Sequence, residues 1–167
     1  SGRKLLTYSS AAEANSSTNV ITSFDQDGMT VGTDTDINNS SYTYIDYFFK
    51  RATGFFDVVA YQGSASVYQK PHNLGVVPEL MIVKNRTAAE TSWSVYTATT
   101  GANNRLQLDS TGASSATSDW DNASDEGVAP TATHFNVKAA SVIVNSASYS
   151  YIAYLFASLD GVSKVGS

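Results

Sequence analysis

The chain has 167 residues, no cysteine and a formal net charge of −5. The lack of cysteine excludes disulfide scaffolds, cysteine zinc sites and cysteine nucleophiles, and the negative charge disfavours a nucleic-acid partner because phosphates repel it. Membrane insertion is not expected, since no stretch approaches the roughly 18 apolar residues of a membrane span. The many Ser, Thr, Tyr and Val residues favour pleated β surfaces over long helices.

Short strand-like segments follow one another along the chain, separated by turns rich in Gly, Asn and Ser. The first half contains an apolar–polar–apolar triplet at residues 29–31 and an aromatic run at residues 41–50. The second half contains seven alternating or β-branched segments: residues 55–61, 78–84, 92–98, 105–109, 134–138, 141–145 and 148–157. This series predicts an all-β, antiparallel β-sandwich of the jelly-roll or lectin-like kind. The polar residues 110–131 are predicted to form one extended loop.

The aromatic run occurs twice. SYTYIDYFFK at residues 41–50 returns as SYSYIAYLFA at residues 148–157, which is 107 positions later. With the same shift, Gly54 falls on Gly161. A period of this size indicates a repeat as large as a domain rather than a solenoid repeat of 20–50 residues.

The repeat predicts how the chain is divided. Residues 1–53 are expected to be the C-terminal half of one unit, residues 54–160 a complete unit, and residues 161–167 the start of a following unit. The chain would then be a fragment of a longer array of such repeats, with one complete sandwich and a half unit. Because half a sandwich leaves an open edge, we expect residues 1–53 to dock on the complete unit or to borrow strands from another chain.

Each copy of the aromatic run has two faces, because side chains alternate along a strand. The face that carries Ile45, Tyr47 and Phe49 is identical in the second copy, which predicts that it packs in the core. The other face exchanges Asp46 for Ala153, which predicts contact with water or a partner. Since this face is too apolar to be fully wet, we predict that it forms a subunit interface. The predicted interface residues are Tyr42, Tyr44, Phe48, Tyr149, Tyr151 and Leu155.

Several motifs of the complete unit follow a fixed order. GFFDVVAY opens it at residues 54–61, HNLGVVPELMIVKNR follows at residues 72–86, and YIAYLFA closes it at residues 151–157. This combination resembles repeat domains in tail-fibre and other structural proteins of marine bacteriophages. The resemblance implies a virion location outside the cell, β-sandwich modules and homotrimeric assembly. It implies no catalytic or binding residues.

The candidate ligand-binding residues lie in two places. Trp120 stands beside Asp121 and Asn122 in the polar loop, and this is the most lectin-like patch. Sugars stack on aromatic rings, while amides and carboxylates bind their hydroxyls. His72 and Asn73, before a predicted strand, are further candidates for a contact to a sugar. The alternatives are that Trp120 packs the loop against the core and that the His72 ring hydrogen-bonds to the backbone of a turn.

Four carboxylates crowd into a short stretch of the first half. Calcium takes several oxygen ligands at once, so these are the candidate metal ligands: Asp25, Asp27, Asp34 and Asp36. The alternative is structural, because Asp27-Gly28 is a strong hairpin-turn signal and the spacing of an EF-hand is absent. No motif predicts a cofactor.

No catalytic, phosphate-binding or dinucleotide motif occurs in the sequence, so an enzyme is not expected. We predict a non-enzymatic structural or adhesive module of a phage tail fibre. It would form a homotrimer, join other virion tail proteins and contact host-surface polysaccharide through exposed loops. The alternatives are a virion enzyme that cleaves polysaccharide and a free-standing lectin.

Overall fold

The computed structural model describes residues 3–15, 20–66 and 68–166. Over these residues the chain forms strands and turns, with no helix, and the paired strands run antiparallel. The predicted all-β, antiparallel class is therefore confirmed. In the same described ranges no helix is long and apolar enough to cross a membrane.

Twelve strands occur among the described residues. Their bounds are β1 Arg3–Lys4, β2 Ala14–Asn15, β3 Ile21–Asp25, β4 Gly28–Val31, β5 Phe56–Gln62, β6 Gln69–Pro71, β7 Leu80–Asn85, β8 Ser94–Thr97, β9 Asn104–Gln107, β10 Ser115–Ala116, β11 His134–Asn136 and β12 Ser150–Phe156. The chain divides into two compact units. The first unit is Ser1–Leu6 with Glu13–Phe48, and the second is Thr7–Ala12 with Phe49–Ser167. The repeat boundaries expected from the sequence stay predictions.

The first unit holds two small ladders, β1 with β2 and β3 with β4. Gln26 and Asp27 join β3 to β4, so that Asp25 pairs with Gly28 across a two-residue turn. The hairpin expected around Asp27-Gly28 is therefore present. Asp25 accepts a hydrogen bond from the Thr30 hydroxyl at 2.9 Å, which ties the two strands together beside the turn.

The second unit is built on a six-stranded sheet in the order β10-β9-β8-β7-β12-β5. The closing strand β12 lies between β5 and β7, so both of its edges are hydrogen-bonded. A second layer, the two-stranded sheet of β6 and β11, covers one face of this sheet. Phe135 of β11 meets the ring of Tyr61 at 6.1 Å, and Tyr61 stacks on Tyr151 at 5.2 Å between centroids. The arrangement is consistent with the expected β-sandwich.

The two faces of β12 are the reverse of those predicted. Tyr151, Ala153 and Leu155 are fully buried in the core. The face expected in the core is the outer one, where Tyr154 stacks on Trp93 at 6.4 Å. Ala153 belongs to the buried cluster that includes Phe135 of the second layer, whereas Trp93 covers the ring of Tyr154 on the outer side. Identity between the two copies was therefore no sign of the core face.

Two predicted strands do not form. Residues 41–50 make no strand ladder with any described residue, although they repeat the sequence of β12. Residues 141–145 form a turn, in which the Asn145 amide donates to the Ser141 carbonyl at 2.7 Å. The Asn145 side chain accepts from the Ser64 amide, and Val144 enters the core. Packing and this polar anchor override the β-branched composition of the segment.

Candidate functional site

Trp120 is a core residue, not a surface platform. Its side chain is fully buried, with its ring set edge-on to Tyr96 at 5.9 Å between centroids. The indole nitrogen donates to the Asn104 carbonyl at 3.1 Å. A ring with both faces covered cannot stack on a sugar, so the prediction that Trp120 binds a ligand is wrong. The polar loop is pinned to the core by this side chain.

The neighbours of Trp120 also have structural partners. Asp121 is buried and lies 3.8 Å from the Lys138 ammonium. Burial raises the pKa of the Asp121 carboxyl, while the Lys138 charge opposes this effect. Asn122 closes a turn, because its side-chain oxygen accepts from the amides of Ser124 and Glu126. Asp121 is therefore withdrawn from any ligand, while Asn122 is half-buried and reaches a surface cleft.

His72 is buried and both of its ring nitrogens are engaged. Nε2 donates to the Thr131 carbonyl at 3.1 Å, and Nδ1 accepts from the Leu74 amide at 3.2 Å. Burial lowers the pKa of His72, so the neutral ring that this pattern requires is favoured. The adjacent Asn73 is exposed, and its amide donates to the Asp57 carboxylate at 2.7 Å. The predicted ligand role of His72 is wrong, and the alternative of a turn held by its ring is confirmed.

A cleft of about 510 Å³ opens on the side of the second layer. It is lined by Ser66, Tyr68, Gln69, Asn122, Ala123, Val128 and Asn136. A phenol ring, an apolar edge and three amides suit the recognition of a sugar, which offers an apolar face and hydroxyl groups. Of these residues only Asn122 was predicted from the sequence, because the other two amides come from two distant segments. Register brings them together, since Gln69 of β6 pairs directly with Asn136 of β11.

The four candidate metal ligands do not converge. Asp34 and Asp36 both face the Lys4 ammonium, and Asp25 lies at the β3–β4 turn. In the described part of the chain no three acidic or histidine side chains come together in a way that could hold a metal ion. The Lys4 ammonium neutralises the carboxylates of Asp34 and Asp36, as a bound metal ion would have done. The predicted calcium site is therefore replaced by an ion-paired cluster.

We name residues 42–49 the aromatic segment. Six of its eight side chains are large, apolar and exposed to solvent. Ile45 is 80% and Tyr47 is 78% exposed. Tyr42, Tyr44 and Phe48 are exposed as well, and their role at an interface stays a prediction. Phe49 already belongs to the second unit, where it contacts Phe56 and Phe156 of the same unit.

The remaining predicted interface residues lie elsewhere. Tyr151 and Leu155 are fully buried within the chain, so they cannot form a subunit interface. The Tyr151 hydroxyl accepts from the Ser146 amide at 2.8 Å and donates to the Val142 carbonyl at 3.0 Å. Tyr149 is half-buried and packs against the core. The reversed faces of β12 explain the corrections at Tyr151 and Leu155, whereas the interface role of Tyr149 stays a prediction.

The family described as a domain of unknown function (DUF7483) matches residues 1–167. Because the match covers the whole chain, the chain belongs to this family. No curated protein matches the sequence, and no solved structure matches it either.

Proposed function

We propose that this member of the DUF7483 family is a non-enzymatic structural and adhesive module of a phage tail fibre. It would assemble with copies of itself, as a homotrimer, and with other tail proteins of the virion. The observation that carries the proposal is the exposed aromatic segment. Its sequence is that of a strand, yet it has no ladder partner among the described residues.

The apolar area of this segment supports an assembly role. Five of its eight residues are aromatic, and all five are exposed. At about 150–250 Å² for each aromatic side chain, covering the segment removes on the order of 600 Å² from water. A standard interface buries about 800 Å² on each partner. Monomeric proteins rarely expose this much apolar surface within one short segment.

The sequence of the segment, which repeats that of β12, favours a partner that supplies strands. Extended segments add to open sheet edges through main-chain hydrogen bonds, and pockets for alternate side chains give specificity. The second copy of the sequence, β12, shows the pairing that these residues accept, with β5 on one side and β7 on the other. An arrangement of three chains around a fibre axis would cover the segment in each chain.

The oligomeric state tests the proposal. We expect light scattering to give a trimer that persists over a tenfold dilution, and the double variant Ile45→Ser, Tyr47→Ser to give a monomer with an unchanged melting temperature. Phe24→Ser is the control, because Phe24 is 75% exposed but lies on β3, outside the segment. A wild-type monomer at every concentration, or a double variant that keeps the wild-type mass, would refute the assembly role.

The cleft beside Asn122 favours a further, adhesive contact with host-surface glycans. Each contact would be weak, and many copies along a fibre would add their effects through a high effective concentration. Tyr68→Ala and Gln69→Ala are expected to reduce adsorption to host cells or isolated polysaccharide without changing the mass. Release of reducing sugars would instead support the polysaccharide-cleaving alternative. Glycan binding by a lone monomer would support the free-standing lectin.

A further inference from the structure

Lys84 is a fully buried cation whose partners come from two segments. Its ammonium donates to the Thr91 carbonyl at 2.6 Å, the Thr91 hydroxyl at 3.2 Å and the Ser10 carbonyl at 3.0 Å. Ser10 belongs to the short stretch Thr7–Ala12, which is part of the second unit. A buried ammonium needs its hydrogen bonds satisfied, so this stretch completes the surroundings of Lys84.

Two more donors point at the same stretch. The Trp93 indole nitrogen donates to the Ser9 carbonyl at 3.1 Å, and the Thr91 amide donates to the Ser10 carbonyl at 3.2 Å. Three donors thus converge on two consecutive carbonyls of residues 7–12. We name the hydrogen-bond donor surface formed by Lys84, Thr91 and Trp93 the Lys84 site. It recognises a backbone conformation rather than particular side chains.

A second copy of the bound stretch exists in the chain. The β1–β2 ladder pairs Arg3 with Asn15, and the β9–β10 ladder pairs Asn104 with Ala116. Adding 101 to each number of the first pair gives the second pair, so the two hairpins share one register. The residues between β9 and β10 therefore correspond to those between β1 and β2.

The tips of these two hairpins also have the same internal hydrogen bond. The Ser9 hydroxyl accepts from the Ala11 amide at 3.1 Å. At the shift of 101, the Ser110 hydroxyl accepts from the Gly112 amide, also at 3.1 Å. One tip contacts the Lys84 site, whereas residues 110–113 are exposed to solvent. The second tip therefore has the backbone turn of the first without its contact.

A repeated turn shows that this correspondence extends beyond the hairpins. Ala52 bridges Phe56 around Gly54, and Leu159 bridges Ser163 around Gly161, at a shift of 107. Both glycines have positive φ, 77° and 72°, a conformation that other residues rarely adopt. The same local geometry thus follows both copies of the aromatic run, as expected for two units of one fold.

We propose that residues 110–113 are a docking loop that binds the Lys84 site of another unit of this fold. The inference rests on the proposed fibre function and specifies a surface that joins successive units. Because the loop and the site are different surfaces, the contact is heterologous and gives a head-to-tail array rather than a closed pair. In this chain residues 9 and 10 fill the site, so the loop binds a unit whose own site is empty.

A loop exchange in the full chain tests whether the second tip fits the site. Residues 7–12, TYSSAA, are replaced by residues 108–113, LDSTGA. We expect a melting temperature within about 3 °C of the wild type. We also expect Lys84 to stay as resistant as before to an amine-reactive reagent. The control places proline at the position of Ala11 in the exchanged loop, which removes the amide that holds the turn. At least a tenfold increase in Lys84 labelling is expected there.

A tandem chain tests the contact directly. Residues 54–160 are repeated after Asp160, so that the added unit carries a second Lys84 site, while residues 7–12 already fill the first. We expect hydrogen exchange at residues 110–113 to slow at least tenfold relative to the single chain. An exchanged loop that labels at Lys84 like its proline control, or a tandem chain whose added unit stays unfolded or leaves residues 110–113 unprotected, overturns the inference. These results are independent of the trimer measurement, so the two proposals can fail separately.

Discussion

Replacing Trp120 by alanine is expected to destabilise the second unit strongly. The side chain is fully buried against Tyr96 and donates to the Asn104 carbonyl, so the change opens a cavity and leaves that carbonyl without its donor. Truncation of a buried tryptophan costs about 3–5 kcal/mol. We expect a loss of about 4 kcal/mol in the free energy of unfolding. A sugar-binding tryptophan on the surface would change it by only about 0.5 kcal/mol.

Urea unfolding followed by the fluorescence of Trp93, the other tryptophan of the chain, measures this loss. Trp120→Phe is the matched variant, because it keeps most of the ring volume and removes the indole donor. A loss of about 1–2 kcal/mol is expected for it. If Trp120→Ala loses less than about 1 kcal/mol, the tryptophan does not anchor the polar loop and the packing argument fails.

Three further predictions concern single contacts of the second unit. Asp57→Asn should lose about 2 kcal/mol at neutral pH; burial alone would raise the pKa of Asp57, but hydrogen bonds from the Asn73 amide and the Arg51 side chain hold it below its usual value. The wild-type advantage is therefore present above about pH 4 and is lost as the pH falls through the folded-state pKa, which urea titrations across pH 2–7 measure. Gly63→Ala should lower the melting temperature, with a destabilisation of about 1–3 kcal/mol, because a Cβ there would overlap the Ser146 carbonyl. Tyr151→Phe should lose about 1–2 kcal/mol in urea unfolding, because the Ser146 amide loses its acceptor; an unchanged stability would contradict the buried polar role of this hydroxyl.

Local sequence patterns predicted much of the fold. The strands β5, β7, β8, β9, β11 and β12 all overlap predicted segments that alternate or are rich in β-branched residues. In the second unit the missed strands β6 and β10 are three and two residues long and polar, and only their partners identify them. The strands β1, β2 and β3 of the first unit were missed as well. Residues 141–145 have the composition of a strand but form a turn, because the anchoring contacts of Asn145 come from distant residues.

The functional residues were harder to predict than the strands. Trp120 and His72 were singled out by residue type, and in both cases the structure shows a buried, fully engaged side chain. Residue type states what a side chain can bind, but burial decides whether a ligand reaches it. The contacts of the Lys84 site could not be predicted from residue type, because the groups that bind there are the backbone carbonyls of residues 9 and 10.

The two copies of the aromatic run differ at Asp46 and Ala153, and this difference predicts how the aromatic segment contacts a partner. Ala153 is buried in the core, and its equivalent Asp46 is exposed. A carboxylate is costly in a dry core, so the Asp46 side chain itself should keep its contact with water when the segment assembles. The opposite face, Ile45 and Tyr47, repeats residues that β12 packs beneath aromatic rings such as Trp93. If the assembly proposal holds, a partner should cover this face with aromatic side chains and leave Asp46 in water, so Ile45→Ser should weaken assembly while Asp46→Ala should not.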